Sequence, residues 1–198
     1  GSDISGAPLN ATPYMGMACI KIMSNDVTLD CAGHKLTGPG PQAYDTFAVL
    51  IPYDYTNVNV KNCQISNYSY GIFTRGLDGN IQDNSVYNSG MNGIHLAYVT
   101  GTTVSGNKVA NAGLYGYELI YSDGNVLDNN VANGSAQEGV YLFQSNNNKL
   151  NRMNSQGNGM EGMYVVQSSN ITINNSIIQY NNNIGVYLSQ GNYNRVEN

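Results

Sequence analysis

A short phrase that begins with glycine recurs six times along the chain, and this repeat limits the possible folds more than any other feature. The interval between successive glycines is 22 residues once and 23 residues four times. The first and third residues after the glycine are apolar in almost every copy. The glycines are Gly71, Gly93, Gly116, Gly139, Gly162 and Gly185. A period of this length is typical of a solenoid, a propeller or an array.

Two further registers keep the same period. The residue twelve positions before each glycine from Gly93 onward is aliphatic, and the residue nine positions before the glycine is Asn in the early copies. The aliphatic register is Ile81, Val104, Leu127, Leu150 and Ile173. The other register is Asn62, Asn84, Asn107 and Asn130, followed by Met153 and Ser176. Short alternating apolar segments between Asn, Gly, Ser and Asp predict strands and turns, and no copy has a helical pattern.

One copy has room for three short strands and three bends. The sequence therefore predicts an all-β fold, a single-stranded right-handed parallel β-helix (solenoid) of about 22–23 residues per coil with about seven to eight coils. Equivalent residues of successive coils should lie about 4.8 Å apart. The pleat directs residues one and three after each glycine into the core and residue two outward. We expect an internal stack of the aliphatic register and a ladder of side-chain amides in the Asn register.

The division of the chain follows from where this pattern begins. Residues 1–16 have no periodicity, and we expect them to hold a tag remnant and an N-terminal arm that caps the first coil. Residues 17–198 are expected to form the β-helix domain. The pattern stops partway through a coil at Asn198, so we expect a cap or a partner over this edge and a longer natural chain.

Composition excludes two classes of partner. Charged residues make up 11% of the chain, the formal net charge is −5, and the eight Lys and Arg residues are scattered. Nucleic acid binding requires a basic face, so no nucleic acid partner is expected. No membrane span is expected either, because the longest apolar run, Phe47 to Ile51, is far shorter than about 20 residues.

Three cysteines leave the redox state open. Cys19, Cys31 and Cys63 have no metal-ligand spacing, so a zinc site is not predicted. In an exported protein Cys19 and Cys31 are predicted to form a disulfide, with Cys63 buried and unpaired. The alternative is three reduced thiols in the core.

The start of the pattern resembles a known family. Cys19-Ile20-Lys21-Ile22 alternates like a strand, and the run Val27-Thr28-Leu29-Asp30-Cys31-Ala32-Gly33-His34-Lys35-Leu36-Thr37-Gly38 follows it. Together they resemble the opening coil of exported NosD-like right-handed β-helix proteins, of the carbohydrate-binding and sugar-hydrolase class, with a fold similar to pectate lyases. The resemblance covers residues 17–198. It implies an extracellular, cell-surface or periplasmic protein whose partner is a polysaccharide or other glycan.

The residue two positions after each glycine forms an outward column. The column is Phe73, His95, Glu118, Tyr141, Tyr164 and Tyr187, and Tyr98 and Tyr121 extend it sideways. Rings at steps of about 4.8 Å suit the apolar faces of sugars along an extended chain. The aromatic residues are therefore predicted to bind substrate. The alternative is an aromatic ladder that only stabilises the parallel strands.

Three acidic residues and one histidine form a candidate catalytic site. Glu138 and Glu161 each precede a glycine and are predicted to stack on neighbouring coils, close to Glu118. Carboxylates about 5 Å apart suit a retaining glycosidase, and a separation of about 6.5–9.5 Å suits an inverting one. His95 is a candidate additional acid or base. The alternative is that these residues are solvated surface charges.

Three classes of function remain open: a glycan-binding domain, a polysaccharide hydrolase or lyase, and a structural or adhesion spacer in a larger surface protein. The calcium-binding cluster of Asp residues expected of a pectate-type lyase is not evident. The NosD resemblance adds a copper-associated periplasmic protein. The chain has two His and seven Met residues, of which Met163 takes a core position, and we predict neither a metal site nor a cofactor.

Overall fold

The computed structural model describes residues 2–5, 17–41 and 45–197. In these residues 24 strands, numbered β1 to β24 in chain order, form three parallel sheets of eight strands each. Sheet 1 contains β1 (Ile4–Ser5), β4 (Lys35–Thr37), β7 (Gln64–Ser66), β10 (Ser85–Tyr87), β13 (Lys108–Ala110), β16 (Val131–Asn133), β19 (Asn154–Gln156) and β22 (Ile177–Gln179). Sheet 2 contains β2 (Met17–Lys21), β5 (Thr46–Ile51), β8 (Tyr70–Thr74), β11 (Ile94–Ala97), β14 (Tyr117–Ile120), β17 (Val140–Phe143), β20 (Met163–Val166) and β23 (Val186–Ser189). Sheet 3 contains β3 (Thr28–Asp30), β6 (Asn59–Lys61), β9 (Asn80–Gln82), β12 (Thr103–Ser105), β15 (Val126–Asp128), β18 (Lys149–Asn151), β21 (Thr172–Asn174) and β24 (Arg195–Glu197).

Each coil contributes one strand to each sheet. From β2 to β22 the described residues make seven coils of three strands, and β23 and β24 begin an eighth. Each strand pairs with its equivalent on a neighbouring coil, as in the parallel pairing of β11 with β14 and of β14 with β17. The predicted parallel β-helix is confirmed. Of the predicted N-terminal arm, only residues 2–5 are described, and there Ile4 pairs with Leu36 of β4; the rest of the arm lies outside the described residues.

The predicted aliphatic stack forms the centre of the core. Ile81, Val104, Leu127, Leu150 and Ile173 are all buried. They pair in that order along sheet 3. The identical inward position on successive coils lets each side chain pack on its equivalents above and below, which is how a solenoid builds a continuous core.

The Asn register forms the expected ladder over three coils. Asn84 Nδ2 donates to Asn107 Oδ1 at 3.0 Å, and Asn107 Nδ2 donates to Asn130 Oδ1 at 3.1 Å. The place predicted for Asn62 is wrong. The coil is shorter there, so Cys63, 21 residues before Asn84, occupies the equivalent position and its N–H donates to Asn84 Oδ1. Asn62 Nδ2 instead donates to Asp30 at 2.9 Å.

The recurring glycine is explained by close packing at the entrance to sheet 2. A Cβ on Gly93 would lie 2.2 Å from Cγ1 of Val109 and 2.7 Å from the carbonyl oxygen of Gly116. A Cβ on Gly116 would lie 2.5 Å from the carbonyl oxygen of Gly139. Any larger residue would force neighbouring coils apart, so the glycine returns once per coil.

The disulfide prediction is wrong in its pairing. Cys31 and Cys63 form the disulfide, with Cα atoms 4.8 Å apart, and Cys19 is free. Cys31 and Cys63 lie at the bend between sheets 3 and 1 on adjacent coils, where the N–H of Cys31 donates to the carbonyl of Lys61. Cys19 lies in β2 on another sheet, which puts it on a different side of the coil.

Candidate functional site

Two parallel columns of side chains run along sheet 2, and together they are called the sheet 2 face. The first column holds the residue two positions after each glycine, namely Phe73, His95, Glu118, Tyr141, Tyr164 and Tyr187. Strand pairing places these residues in one line in the predicted order. The second column holds the residue before each of the first five glycines, namely Tyr70, Asn92, Tyr115, Glu138 and Glu161, and the sixth copy has Ile184 there.

At the N-terminal end of the face, aromatic rings form a compact cluster. Phe47 stacks on Tyr70 with ring centroids 4.9 Å apart, and it meets Phe73 edge-on at 5.5 Å. The ring of Phe73 lies 4.8 Å from the imidazole of His95. These contacts cover one side of His95.

At the other end, tyrosine rings continue the face as a ladder. Tyr115 stacks on Tyr141 with centroids 4.8 Å apart, and Tyr141 meets Tyr164 edge-on at 5.6 Å. Tyr164 stacks on Tyr187 at 5.0 Å. The rings of Tyr141 and Tyr164 remain partly exposed, while Tyr187 is exposed. The ladder both supports neighbouring strands and presents ring surface to solvent.

Between the two aromatic groups lies a buried polar cluster. Nδ1 of His95 is 3.0 Å from Oε2 of Glu118 and 3.2 Å from Nδ2 of Asn92, and Asn92 Nδ2 also donates to Glu118 Oε2. The pleat predicted that His95 and Glu118 face solvent, but only 9% of His95 and 6% of Glu118 are exposed. They do point away from the core, and surrounding rings cover them. Glu118 orients the imidazole and leaves Nε2 for another partner.

Three buried polar atoms of this face have no hydrogen-bond partner within the described residues. They are Nε2 of His95, Oδ1 of Asn92 and Oε2 of Glu138. Buried polar groups in folded proteins are nearly always satisfied by protein or by ordered water. Their concentration on two adjacent columns therefore indicates a place where water or ligand hydroxyl groups bind.

The carboxyl groups of Glu138 and Glu161 are neighbours on adjacent coils. Only 5% of each residue is exposed, so the reading as solvated surface charges is wrong. Burial raises the pKa of Glu138, and the negative charge of Glu161 raises it further. Glu161 Oε1 accepts a hydrogen bond from Asn183 Nδ2 at 2.6 Å. Burial likewise raises the pKa of Tyr115 to about 12, with Glu138 and Glu118 adding to the effect.

Tyr98 and Tyr121 lie apart from the two columns. They sit at the bend after sheet 2 and stack with ring centroids 5.0 Å apart, and both are exposed. The guanidinium of Arg75 lies 5.0 Å over the ring of Tyr98. Tyr121 reaches sheet 2 through an edge contact with Phe143. The structure thus divides the predicted aromatic residues into a central ladder and a lateral pair.

The sequence interpretation missed four residues of the site: Phe47, Tyr70, Asn92 and Tyr115. Three of them carry a signal in the repeat, because Tyr70, Asn92 and Tyr115 occupy the same register before glycine as Glu138 and Glu161. Following that register through every copy would have found them. Phe47 stands outside the six copies, and only its stacking on Tyr70 assigns it to the site.

The donor groups do not fit a metal centre. The described part of the chain has no group of three or more His, Cys, Asp and Glu side chains that could hold a metal ion. His95 has one carboxylate neighbour, Glu118, and His34 lies elsewhere beside Asp3. Met153 and Met163 are buried in the core. We assign no copper ligands to these residues.

The architecture and this face define a pectate-lyase-like parallel β-helix protein with a line of aromatic and buried acidic side chains along one sheet. The sequence profile of one family, described as periplasmic copper-binding protein (NosD), matches residues 23–198. The chain belongs to the NosD family, as the opening coil indicated. No curated protein sequence matches the chain closely enough to count as a relative.

Solved structures of two epimerases and of XylC share the fold. The periplasmic alginate epimerase AlgG superposes with a TM-score of 0.67 at 24% identity, covering 84% of this chain and 38% of AlgG. The A-module of the Azotobacter vinelandii mannuronan C-5 epimerase AlgE4 gives a TM-score of 0.68 at 15% identity, covering 98% of this chain and 68% of the module. XylC, solved in complex with xylose, gives 0.67 at 12% identity, covering 92% of this chain and 37% of XylC.

These similarities establish the fold alone, and the chain spans 38% of the length of AlgG. Among the residues that the structure describes, no helix has the length and apolar character needed to cross a membrane.

Proposed function

We propose that this chain binds an extended polysaccharide along the sheet 2 face. The observation that carries the proposal is the line of partly exposed tyrosine rings beside buried polar atoms that lack partners. Proteins with the same fold are named for alginate and mannuronan or contain xylose, which supports a sugar ligand. The two epimerases act on polysaccharides. For this chain, the proposal of a polysaccharide ligand rests on the side chains of the sheet 2 face.

The two parts of the face have different tasks in this proposal. Tyr141, Tyr164 and Tyr187 offer apolar ring surfaces to the C–H faces of consecutive sugars. The polar cluster of Asn92, His95 and Glu118 then hydrogen-bonds hydroxyl groups of a sugar held next to the ladder. The rings supply apolar contact area, and the polar cluster fixes the position of the sugar chain along the face. Most ligand sites combine apolar contact area with a few orienting polar groups in this way.

Removing two rings of the ladder is expected to nearly abolish binding. Each ring should contribute about 1 kcal/mol, so Tyr141→Ala alone weakens affinity about fivefold, and Tyr141→Ala/Tyr164→Ala removes most of a weak interaction. The measurement is affinity electrophoresis through gels containing neutral or acidic polysaccharides, with a thermal melt of each variant to confirm folding.

The matched control is Tyr180→Ala/Tyr193→Ala. These two tyrosines are 80% and 84% exposed and lie outside the face, so this variant loses the same number of rings and should be retarded like the unaltered protein. Equal retardation of the ladder variant and the unaltered protein would exclude the face as the binding site. No retardation in any gel would favour the structural-spacer function.

We also propose that the protein is exported, to the periplasm or the cell surface. The family description names the periplasm, and AlgG is a periplasmic enzyme. The Cys31–Cys63 disulfide supports the same location, because disulfides persist mainly in oxidising compartments.

A second candidate function, polysaccharide cleavage, is favoured by one observation: the buried Glu138 with a raised pKa beside Glu161. Below its raised pKa the Glu138 carboxyl is protonated and can donate its proton to the glycosidic oxygen as the C–O bond breaks, while the neighbouring carboxylate attacks the sugar carbon and water later releases the product. Strands about 4.8 Å apart place two such groups near the separation of a retaining enzyme.

If cleavage occurs, Glu138→Gln and Glu161→Gln should each reduce the rate at least 100-fold, because each loses an ionisable group while keeping its shape. The rate of the unaltered protein should fall as pH rises through the raised pKa of Glu138, since the acid form is lost. Reducing-end release measures both. Glu197→Gln, in exposed β24, is the control. Activity that survives in Glu118→Gln, Glu138→Gln and Glu161→Gln alike would rule out this site.

A further inference from the structure

We infer that the sheet 2 face selects a neutral polysaccharide and rejects a polyuronate. This rests on the proposed function, because it names the substrate class of the same face. Two observations carry it: the negative charge of the face, which no Lys or Arg on its central strands balances, and the kind of hydrogen bond that its unpartnered atoms require.

The negative charge is concentrated on three adjacent coils. Glu118, Glu138 and Glu161 lie on this stretch of the face, and all three are buried. The four strands that carry it, β11, β14, β17 and β20, contain no Lys or Arg, and neither do the three residues before each strand. The carboxyl groups therefore have no Lys or Arg of this stretch to balance them, and the one basic side chain beside them is the imidazole of His95, next to Glu118.

The basic side chains of the described residues lie elsewhere. Lys21 is in line with the first column but four strands before Glu118, roughly 19 Å away at one strand spacing per coil. Arg75 is held over Tyr98 at the bend. The others lie on sheets 1 and 3 and the bends that adjoin them: Lys35, Lys61, Lys108, Lys149, Arg152 and Arg195. A polymer with a carboxylate on every sugar would meet like charges along this stretch, and such juxtaposition rejects a ligand strongly.

The unpartnered atoms impose the same preference. Oδ1 of Asn92 only accepts hydrogen bonds, and so does Oε2 of Glu138 when the pH is above the raised pKa of that carboxyl. A sugar hydroxyl can donate to either atom, and it can also donate to or accept from Nε2 of His95. A sugar carboxylate has no proton to donate and would leave Asn92 and Glu138 unsatisfied. The site is therefore complementary to hydroxyl groups.

A preference for neutral polymers would distinguish this chain from two of its structural neighbours, whose names refer to charged polymers. AlgG and AlgE4 are named for alginate and mannuronan, which are polymers of uronic acids. The shared fold supplies a long face in each case, and the charges placed on that face decide which polymer binds.

The test uses pairs of polymers that differ only at C6, where a hydroxymethyl group replaces the carboxylate: alginate and polygalacturonate, each beside its carboxyl-reduced form. Dissociation constants come from affinity electrophoresis at pH 7 and low salt. The reduced polymer of at least one pair is expected to bind at least tenfold tighter than its acidic parent. In the triple variant Glu118→Gln/Glu138→Gln/Glu161→Gln, the ratio of the dissociation constants of the acidic and reduced polymers is expected to fall below threefold. A thermal melt confirms that the variant folds.

A salt series on the unaltered protein tests the inference without any variant. Screening weakens repulsion between charges, so the ratio should shrink as ionic strength rises. An acidic polymer that binds as tightly as its reduced form, or more tightly, would overturn the inference while leaving glycan binding intact. Binding to none of the four polymers, together with none in the gels described above, would overturn the proposed function and this inference with it.

Discussion

Replacing Leu127 with Asp is expected to leave no cooperatively folded protein at 25 °C. Leu127 is fully buried and lies in the aliphatic stack between Val104 and Leu150. The substitution removes apolar contacts on both sides and introduces a charge with no partner among aliphatic neighbours. The combined loss should exceed about 4 kcal/mol, which is comparable to the whole stability of many domains.

The adjacent residue supplies the control. Val126 is in the same strand with its side chain exposed, and it pairs with Thr103 and Lys149. Val126→Asp should change stability by less than about 0.5 kcal/mol, since its charge stays in water. Far-UV circular dichroism during a thermal melt distinguishes the two variants. A melting temperature for Leu127→Asp close to that of the unaltered protein would contradict the assigned core register.

Asn107→Met is expected to lower the free energy of unfolding by about 3 kcal/mol or more, because it leaves several buried groups without partners. Oδ1 of Asn107 accepts from the N–H and the side-chain amide of Asn84. Nδ2 donates to the carbonyl oxygens of Ile81 and Ser105 and to Asn130 Oδ1. Methionine fills similar space but supplies neither the amide oxygen nor the N–H groups.

Lys108→Met is the matched control, because it places the same side chain at the next position, which is exposed. Urea unfolding followed by circular dichroism gives both values. Equal stabilities for the two variants would show that the amide ladder contributes little, even though it is continuous in the structure. The chain does have a methionine in this register, Met153, on the coil after Asn130. Its backbone N–H donates to the hydroxyl oxygen of Ser176 on the following coil. Position 153 therefore has a different hydrogen-bonding neighbour from position 107, and a methionine at 153 does not imply that one is tolerated at 107.

The local sequence was sufficient for the coil, the core stack and most of the Asn ladder. These features repeat at a fixed interval, and a solenoid brings residues one interval apart into contact. The periodic spacing of Val104, Leu127 and Leu150 therefore directly predicts that they contact one another in the folded protein. The same reasoning placed His95, Glu118 and Tyr141 in one outward column, because alternation along a strand specifies the side of the sheet.

The alignment of residues between coils of unequal length could be determined only from the tertiary structure. The expected place of Asn62 was displaced by one residue, because the coil before Asn84 is shorter than the others and puts Cys63 in the ladder. The disulfide pairing failed for a related reason. Cys31 and Cys63 meet through the bends of adjacent coils, and bend geometry is not visible in a periodic pattern.

The sequence by itself determined which side chains leave the core on sheet 2, and only the tertiary structure decided which of them are buried. Alternation gives a direction from the sheet, whereas exposure depends on what neighbouring coils place above each side chain. Rings from other positions cover His95, and both Glu138 and Glu161 are withdrawn from water. Burial raises the pKa of Glu138, because a carboxylate that is removed from water loses its hydration and the neutral acid becomes more favourable.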